Sequence, residues 1–380
     1  MSDDQNMNVP SDTFTPPVTS DNPANQHEGM AAQEIAALRL RIEVAQMPDQ
    51  LREKIEREFR LLERAAQTGA YSNEYERTAK YVDWCLRIPW QNFSEGELDI
   101  ERAKQIFEQH HYGMQSVKDR MIEYMSILKL QKQNFGDSHH NNQNIRAPIL
   151  FFVGLVGTGK TTFAYSIAEA LGRPIIRIPF GGMGSARDLR GESRLHTDAE
   201  PGLMIRGLVQ AGVRNPVVLL DEIDRVAEDA RMDIMGVLVE LLDPSQNQNY
   251  TDHYIDNPVD LSQVLFIATA NNTRGVATAV LDRMEQIDMP TYSDEEKTVI
   301  AKKYVIPKLL EQSGMRPESL VIAEDVWPKM VRPLGYDAGI RTLERTLKSA
   351  VSKAARLMLE QNLQQVVITN ENIKYFVPIV

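Results

Sequence analysis

Cysteine is almost absent from this 380-residue sequence, and so are long apolar runs. The single cysteine, Cys85, excludes a disulfide framework, and its apolar neighbours favour a buried thiol over a catalytic one. The longest apolar runs fall far short of the roughly 18 residues that a membrane span needs, and the N-terminus has no apolar signal region. We therefore expect a cytoplasmic protein without a membrane partner.

A basic excess is also missing, because the formal net charge is −11. This charge argues against nucleic acid as a general partner, although a local basic patch stays open. The seven histidines include the pairs His110-His111 and His139-His140, and none of them has the spacing of a metal site. The apolar content of 42% and the length are typical of a globular protein with two or three domains.

Changes in composition and periodicity predict five segments. Residues 1–30 are rich in proline and acidic side chains, so we expect a disordered acidic tail. Residues 31–132 show apolar positions three and four apart, which predicts an α-helical N-terminal region. Residues 133–147 are polar and form a linker to an α/β nucleotide-binding domain over 148–290. Residues 291–380 are expected to form a small α-helical lid domain, whose first helix opens with a capping box.

The α/β domain alternates apolar runs with helical patterns. Near-continuous apolar strands separated by helices are typical of a parallel sheet covered by helices on both faces. The sequence therefore predicts an α/β fold with a five-stranded parallel αβα core. The expected strands are Ile149–Val153, Ile175–Ile178, Val217–Asp221, Val264–Ala268 and Gln286–Met289.

The first chemical motif begins at Gly154, directly after the first apolar run. After four intervening residues come Gly159, Lys160 and Thr161, followed by an Ala-rich helix. This is the phosphate-binding pattern G-x-x-x-x-G-K-[ST] in the strand–loop–helix order that it requires. A glycine-rich turn with a coincidental lysine is the alternative, which the flanking strand and helix disfavour.

The motif predicts ATP and Mg²⁺ as cofactors. Its glycines let backbone N–H groups point inward, and the helix N-terminus attracts anions. Lys160 is expected to reach the β- and γ-phosphates, and Thr161 to place its hydroxyl on Mg²⁺. The loop residues expected to bind the nucleotide are Gly154, Gly157, Thr158, Gly159, Lys160, Thr161 and Thr162.

Polar side chains also follow two later apolar strands. Asp221 and Glu222 come directly after the run Val217–Leu220. Asp221 can hold Mg²⁺ there, and Glu222 can deprotonate the attacking water. Acids at strand ends are common, and the upstream phosphate loop gives this pair its meaning. Asn271 follows the next strand and can sense the γ-phosphate; a turn asparagine is the alternative, and Asn272 is assigned that role.

Arginines can stabilise the charge of a transferring phosphoryl group, in their own subunit or from a neighbour. Arg283 and Arg341 are the candidates. Arginines are common, so without further context each of the two would more often be an ordinary surface residue.

Long stretches of the chain resemble the ATPase portion of the Lon family of AAA+ proteins, from about Leu51 to the C-terminus. The matching stretches are YVDWCLRIPW (81–90), HYGMQSVKDRMIEY (111–124), the phosphate loop, NPVVLLDEID (215–224), LVELLDPSQN (238–247), DHYIDNPVDLSQVLFIATAN (252–271), LDRME (281–285) and AGIRTLER (338–345). Several of these stretches are not general features of phosphate-loop proteins.

The resemblance implies an AAA+ P-loop NTPase that assembles as a homo-oligomer, a hexameric ring, and pulls protein substrates through a central pore. It implies that Asn271 is the first sensor, Arg341 the second sensor on the lid, and Arg283 a finger that reaches the neighbour's ATP. It also implies an adenine contact near His111, Tyr112 and Gly113.

The sequence also departs from the family. Lon-type proteases continue into a Ser–Lys peptidase domain where this chain ends, so peptidase activity is not expected and a peptidase on a separate chain is a possible partner. His196 and Thr197 fall where the family has an aromatic and an aliphatic residue on the pore loop. The alternative function is therefore an ATP-switched assembly or regulatory module without translocation. A DNA-loading AAA+ protein is a third option, which the acidic balance opposes.

Overall fold

The computed structural model describes residues 35–67, 73–96, 98–135, 148–332 and 337–377. The predicted tail, and residues 136–147 of the predicted linker, lie outside these ranges. The chain divides into two compact units, Met1–Leu86 and Arg87–Val380, and each is described by itself.

The first unit is helical over its described residues. Residues 35–44 form α1, and they are followed by α2 (Asp49–Gln67) and α3 (Asn73–Arg87). The apolar residues at helical spacing on α2 are buried, and Arg52 donates to the carbonyl of Ile42 at 2.9 Å, near the end of α1. Cys85 on α3 is buried, as its apolar neighbours predicted.

The second unit is built on one parallel sheet with the strand order β2-β3-β6-β1-β7. The predicted five-stranded parallel sheet is therefore confirmed. Its strands are β1 (Ile149–Val153), β2 (Ile175–Pro179), β3 (Val217–Asp221), β6 (Leu265–Ala270) and β7 (Met284–Asp288). Each strand begins and ends within two residues of the range expected from its apolar run.

Helices cover this sheet, and a small ribbon lies between β3 and β6 in the sequence. The helices are α4 (Ile100–His110), α5 (Gln115–Phe135), α6 (Lys160–Ala170), α7 (Arg187–Arg190), α8 (Leu203–Ala211), α9 (Arg231–Leu242) and α10 (Thr278–Leu281). The ribbon pairs β4 (Tyr250–Thr251) with β5 (Pro258–Val259), antiparallel. Short 3₁₀ turns cover Ile223–Arg225, Asn247–Asn249, Pro317–Ser319 and Glu324–Val326.

The register of the central strands brings their carboxyl ends to one edge of the sheet. Val153 of β1 pairs with Ala270 of β6, and Leu220 of β3 pairs with Ala268 of β6. Buried apolar side chains hold this register, since β3 is buried along its whole length. Ligands bind at this edge in open parallel sheets, so the segments that follow β1, β3 and β6 form the expected site.

The C-terminal region is mostly helical, as predicted, and Ser293 forms the capping box with Glu296. Its elements are α11 (Asp294–Ile300), a π-helical turn (Ala301–Val305), α12 (Ile306–Gln312), β8 (Leu320–Ile322), α13 (Trp327–Val331), α14 (Arg341–Gln361), β9 (Val366–Ile368) and α15 (Ile373–Phe376). The parallel pair β8-β9 was not predicted, because two apolar triplets give no period to detect. Helix α14 buries Leu343, Leu347 and Val351 against the core.

Candidate nucleotide site

The glycine-rich loop joins β1 to α6. Gly157 and Gly159 have φ angles of 82° and 91°, in the left-handed region that favours glycine. Gly159 is the N-cap of α6 and provides no side-chain hydrogen bond, so the first N–H groups of that helix face the loop without a side-chain acceptor. Helix N-termini of this kind bind anions.

Lys160 is held at the floor of the cleft, with 7% of its surface exposed. Its Nζ donates to the carbonyls of Gly154 at 2.6 Å and Leu155 at 2.9 Å, and to Oδ1 of Asn271 at 3.2 Å. Burial lowers the pKa of Lys160, while the charges of nearby carboxylates act in the opposite direction. The ammonium group is thus positioned between the loop and the end of β6.

Asn271 contributes an unused hydrogen-bond donor to the same cleft. Its backbone N–H donates to Oδ2 of Asp224 at 3.1 Å, which fixes the residue at the end of β6. Its Nδ2 atom is buried and finds no partner among the described residues. A buried donor without an acceptor is rare in proteins and fits a ligand oxygen.

Asp221 has each carboxylate oxygen in a different environment. Its Oδ1 accepts from the hydroxyls of Thr161 at 3.1 Å and Thr269 at 2.6 Å. Its Oδ2 accepts from Nε of Arg177 at 2.8 Å and lies 2.7 Å from Nη2. A hydroxyl beside a carboxylate oxygen is the kind of ligand set that Mg²⁺ prefers, so Thr161 and Asp221 fit the predicted metal.

Glu222 has a left-handed backbone, with φ 59° and ψ 49°, which is uncommon outside glycine. Its N–H donates to Thr269 Oγ1 at 3.0 Å, so one threonine hydroxyl contacts both acidic residues. Its side chain lines the cleft that also contains Lys160. Strained backbone of this kind is concentrated at functional sites.

The C-terminal region closes the cleft from the other side. The N–H of Ile340 donates to the carbonyl of Gly157 at 3.1 Å, and Arg341 begins α14 directly after it. A Cβ at Gly157 would lie 3.2 Å from the backbone nitrogens of both Ile340 and Arg341, so a side chain there would push α14 away. Asp337 accepts from the N–H of Gly339 at 3.1 Å and of Thr342 at 3.3 Å, which anchors the start of α14.

The structure brings most of the predicted residues to one cleft. Its walls include Gly157, Gly159, Lys160, Thr161, Thr162, Asp221, Glu222, Asn271 and Arg341. Gly154 lies behind it and contributes the carbonyl that Lys160 contacts, and Thr158 is buried with its hydroxyl on the carbonyl of Leu155.

A second cavity of about 440 Å³ continues from the cleft and shares Gly159, Thr162 and Ile340 with it. His111 and Tyr112 line this cavity. Gly113 does not line it; a Cβ there would contact Glu296 instead.

His111 is fixed within the second unit. Its Nε2 lies 2.9 Å from Ser166 Oγ, and its ring is tilted on Phe163 with 4.3 Å between centroids. Burial, followed by the charges of His110 and Lys118, lowers the pKa of His111 to about 4. The imidazole is therefore neutral near pH 7, and the cavity wall that it forms does not change charge there.

Arg283 lies away from this cleft. It directly precedes β7, whose first residue Met284 pairs with Ile149 at the start of β1. The phosphate loop follows the other end of β1, so Arg283 is at the opposite end of the sheet from its own loop. There it forms an ion pair with Asp243 at 2.9 Å.

The predicted pore-loop residues lie between α7 and α8, outside helices and strands. His196 and Thr197 are both exposed. The preceding residue, Leu195, is 90% exposed, and the sequence analysis did not name it because it considered only the two expected positions. This loop therefore presents one apolar side chain beside the two polar ones.

Arg177, Thr269, Asp224 and Asp337 were also missed as site residues. No motif marks them, because each contacts the site through strand register or the fold of the lid. Within the described ranges, no group of three or more His, Cys, Asp or Glu side chains is arranged to hold a metal ion. None of the helices in those ranges has the length and apolar character of a membrane span.

Sheet order, glycine-rich loop and acidic strand end together define a P-loop ATPase fold of the AAA class. The model of the ATPase family associated with various cellular activities (AAA) matches residues 150–290. The predicted fold class is thus confirmed.

The similarity of this chain to known proteins extends beyond that domain. Lon protease 2 of Thermus thermophilus is 40% identical over 352 residues, covering 92% of this chain and 43% of that protein. Lon protease of Lawsonia intracellularis is 38% identical over 349 residues, which cover 92% of this chain and 40% of that protein. Lon protease of Chloroflexus aurantiacus is 40% identical over 329 residues, which cover 87% of this chain and 39% of that protein.

This chain is homologous to Lon proteases over about nine-tenths of its own length, as the resemblance of its motifs predicted. It spans about two-fifths of the length of these curated relatives.

Proposed function

We propose that this chain is a Mg²⁺-dependent ATP hydrolase of the Lon-like AAA+ type, which remodels, unfolds or translocates protein substrates. The observation that carries the proposal is the single cleft that contains Lys160, Asp221, Glu222, Asn271 and Arg341. The relatives named above are proteases, so protein is the substrate class that they support for this chain.

The bound nucleotide with its metal supplies the γ-phosphoryl group that water attacks. Lys160 Nζ and the unpaired Nδ2 of Asn271 bind its terminal oxygens. Thr161 Oγ1 and Asp221 Oδ1 hold the metal, while Glu222 accepts the proton of the attacking water on its carboxylate. Arg341 stabilises the negative charge from the lid side.

The adenine binds in the 440 Å³ cavity beside His111 and Tyr112. This placement is supported by continuity of the cavity with the phosphate cleft through Gly159 and Thr162. The neutral imidazole of His111 adds no charge next to the base.

We propose further that the chain assembles as a homo-oligomer, a ring for which six copies are expected. Support comes from Arg283, which lies at the far end of the sheet from its own phosphate loop, where it is placed to contact the site of a second copy rather than its own. Each nucleotide site is then shared between two subunits.

A peptidase on a separate chain is a possible partner of this protein, whereas nucleic acid is not an expected partner. The expected location is the cytoplasm.

The exposed loop with Leu195, His196 and Thr197 is the proposed contact with substrate. The apolar Leu195 supports a grip on protein chains, since apolar area binds any sequence without specific hydrogen bonds. The polar residues His196 and Thr197 favour the second candidate function, an ATP-switched assembly or regulatory module that moves no substrate.

Steady-state ATP hydrolysis, measured with and without an unfolded protein, tests the proposal. The Lon-like function predicts hydrolysis that Lys160→Ala abolishes and that unfolded protein changes. A hydrolysis rate that unfolded protein does not change would support the ATP-switched module. Absence of Lys160-dependent hydrolysis under every condition, including conditions that favour oligomers, would contradict the enzyme assignment.

A further inference from the structure

We infer that Asp243 is a positioning residue for Arg283, which it holds in the orientation that contacts the nucleotide of a second copy of this chain. Asp243 follows α9, and Arg283 lies between α10 and β7. The inference rests on the proposed function, because it requires that nucleotide sites be shared between copies.

The guanidinium of Arg283 is held at two points. Nη2 donates to Asp243 Oδ2 at 2.9 Å, and Nη1 donates to the carbonyl of Ala279 at 2.6 Å. Nε is buried and has no partner among the described residues. Arginine carries five N–H donors, so one donor on each terminal nitrogen is left for a ligand. Each of these remaining donors can form a charge-assisted hydrogen bond with a phosphate oxygen.

Asp243 is itself fixed and ionised. Its Oδ1 accepts from the N–H of Ser245 at 2.9 Å and from the Ser245 hydroxyl, which leaves Oδ2 for Arg283. The hydrogen bond from the Ser245 hydroxyl lowers the pKa of Asp243, and Arg283 lowers it further, while partial burial acts in the opposite direction. The two carboxylate oxygens thus have separate partners.

The position of this pair in the fold points to a second copy. Arg283 precedes the first residue of β7, and a five-residue strand separates that end of the sheet from the phosphate loop. Such a strand spans roughly 16 Å, which an arginine side chain cannot reach across. Neither Asp243 nor Arg283 lines the cleft or the cavity of its own chain.

An ordered arginine binds with less loss of rotamer freedom than a mobile one. Removing the anchor should therefore lower turnover without changing how the same chain binds ATP. Asp243→Asn is the sharp variant, because the amide keeps the size and an acceptor for Ser245 but places N–H donors opposite Arg283. Asp282→Asn is the matched control, since Asp282 is the exposed acid next to Arg283 and forms no ion pair with it.

We expect Asp243→Asn to lower kcat by about tenfold, given that small misplacements of catalytic groups have effects of this size or larger. KM for ATP, the affinity for a non-hydrolysable analogue and the melting temperature should match those of Asp282→Asn. Mixing Asp243→Asn subunits with Lys160→Ala subunits should restore turnover per active site, because the latter present an intact Arg283. Lys160→Ala subunits that also carry Arg283→Ala should not restore it.

Equal kcat for Asp243→Asn and Asp282→Asn would overturn the inference. A loss of analogue affinity or melting temperature in Asp243→Asn, or failure of the mixed assembly to recover, would also overturn it, because Asp243 would then be structural. Arg283→Ala separates this failure from that of the proposed function. If Arg283→Ala keeps full turnover, the shared site itself is wrong.

Discussion

Arg177 forms an ion pair with one oxygen of Asp221, to which its Nε donates a hydrogen bond at 2.8 Å and from which its Nη2 lies 2.7 Å away. The other oxygen of Asp221 faces the hydroxyl of Thr161. The arginine therefore orients the carboxylate toward the proposed metal position and also places a positive charge beside it. The positive charge of Arg177 weakens metal binding, whereas its orientation of the carboxylate supports turnover.

Arg177→Met should bind metal more tightly and turn over more slowly. Loss of a half-exposed charge near a divalent cation is expected to lower its dissociation constant by about three- to tenfold. Mn²⁺ binding with a non-hydrolysable ATP analogue, followed by electron paramagnetic resonance, measures this directly. Arg187→Met is the control, because Arg187 is an exposed cation paired with Glu192. Weaker Mn²⁺ binding in Arg177→Met alone would contradict the electrostatic argument.

Glu222→Gln should retain ATP binding and lose turnover by at least about a hundredfold, the usual contribution of a general base. The amide cannot accept the proton of the attacking water. Glu228→Gln is the control, since Glu228 is exposed and lies three residues beyond the nearby 3₁₀ turn. Analogue affinity and single-turnover hydrolysis are the measurements. A variant that hydrolyses ATP at the parental rate would show that the base lies elsewhere.

Asn271→Ala should lower kcat by about a hundredfold, because a preorganised donor to a developing negative charge is lost. Asn272→Ala should have a much smaller effect, since its amide contacts Asp224 and no ligand position. Steady-state kinetics of the two variants under saturating ATP makes the comparison. Equal losses would mean that the asparagine pair acts only through the turn.

Gly157→Ala should weaken nucleotide binding through the lid. Both Gly157 and Gly212 have positive φ, at 82° and 68°, so alanine is strained at either position by about 1 kcal/mol. Only at Gly157 would the new Cβ contact the start of α14, since nothing lies within 4 Å of a Cβ at Gly212. Chemical unfolding should therefore show similar losses of stability for both variants. Reduced analogue affinity is expected for Gly157→Ala alone, and equal affinities would contradict the close approach of the lid.

Asp252 should make folding stability depend on pH in the unusual direction. Burial raises its pKa from 3.8 to about 6, although it accepts hydrogen bonds from the N–H groups of Gly202, Ile255 and Tyr254. A carboxyl whose folded pKa is raised contributes its full stability below about pH 4 and loses it as the pH rises through 6. The unfolding free energy of the parent minus that of Asp252→Asn should thus fall across pH 4–6. A difference independent of pH would mean that the carboxyl titrates normally.

Local patterns explain which parts of the fold were predictable. The five strands follow from apolar runs, and the phosphate loop from glycines placed around Lys160, because each signal lies within a few consecutive residues. The acids at the end of β3 and the asparagine after β6 follow from the rule that parallel strands share a functional edge. The pair β8-β9 was missed because its strands are 43 residues apart and only three residues long.

The sequence by itself determined the α/β class, the nucleotide loop and which acids and arginines are candidate site residues. These features depend on residue type and short spacing. Only the tertiary structure decided that Arg177 contacts Asp221, that Asp243 holds Arg283, and that Gly157 meets the first turn of α14. These contacts join segments between 40 and 184 residues apart. They depend on strand register and on how the C-terminal helices pack, which no local pattern encodes.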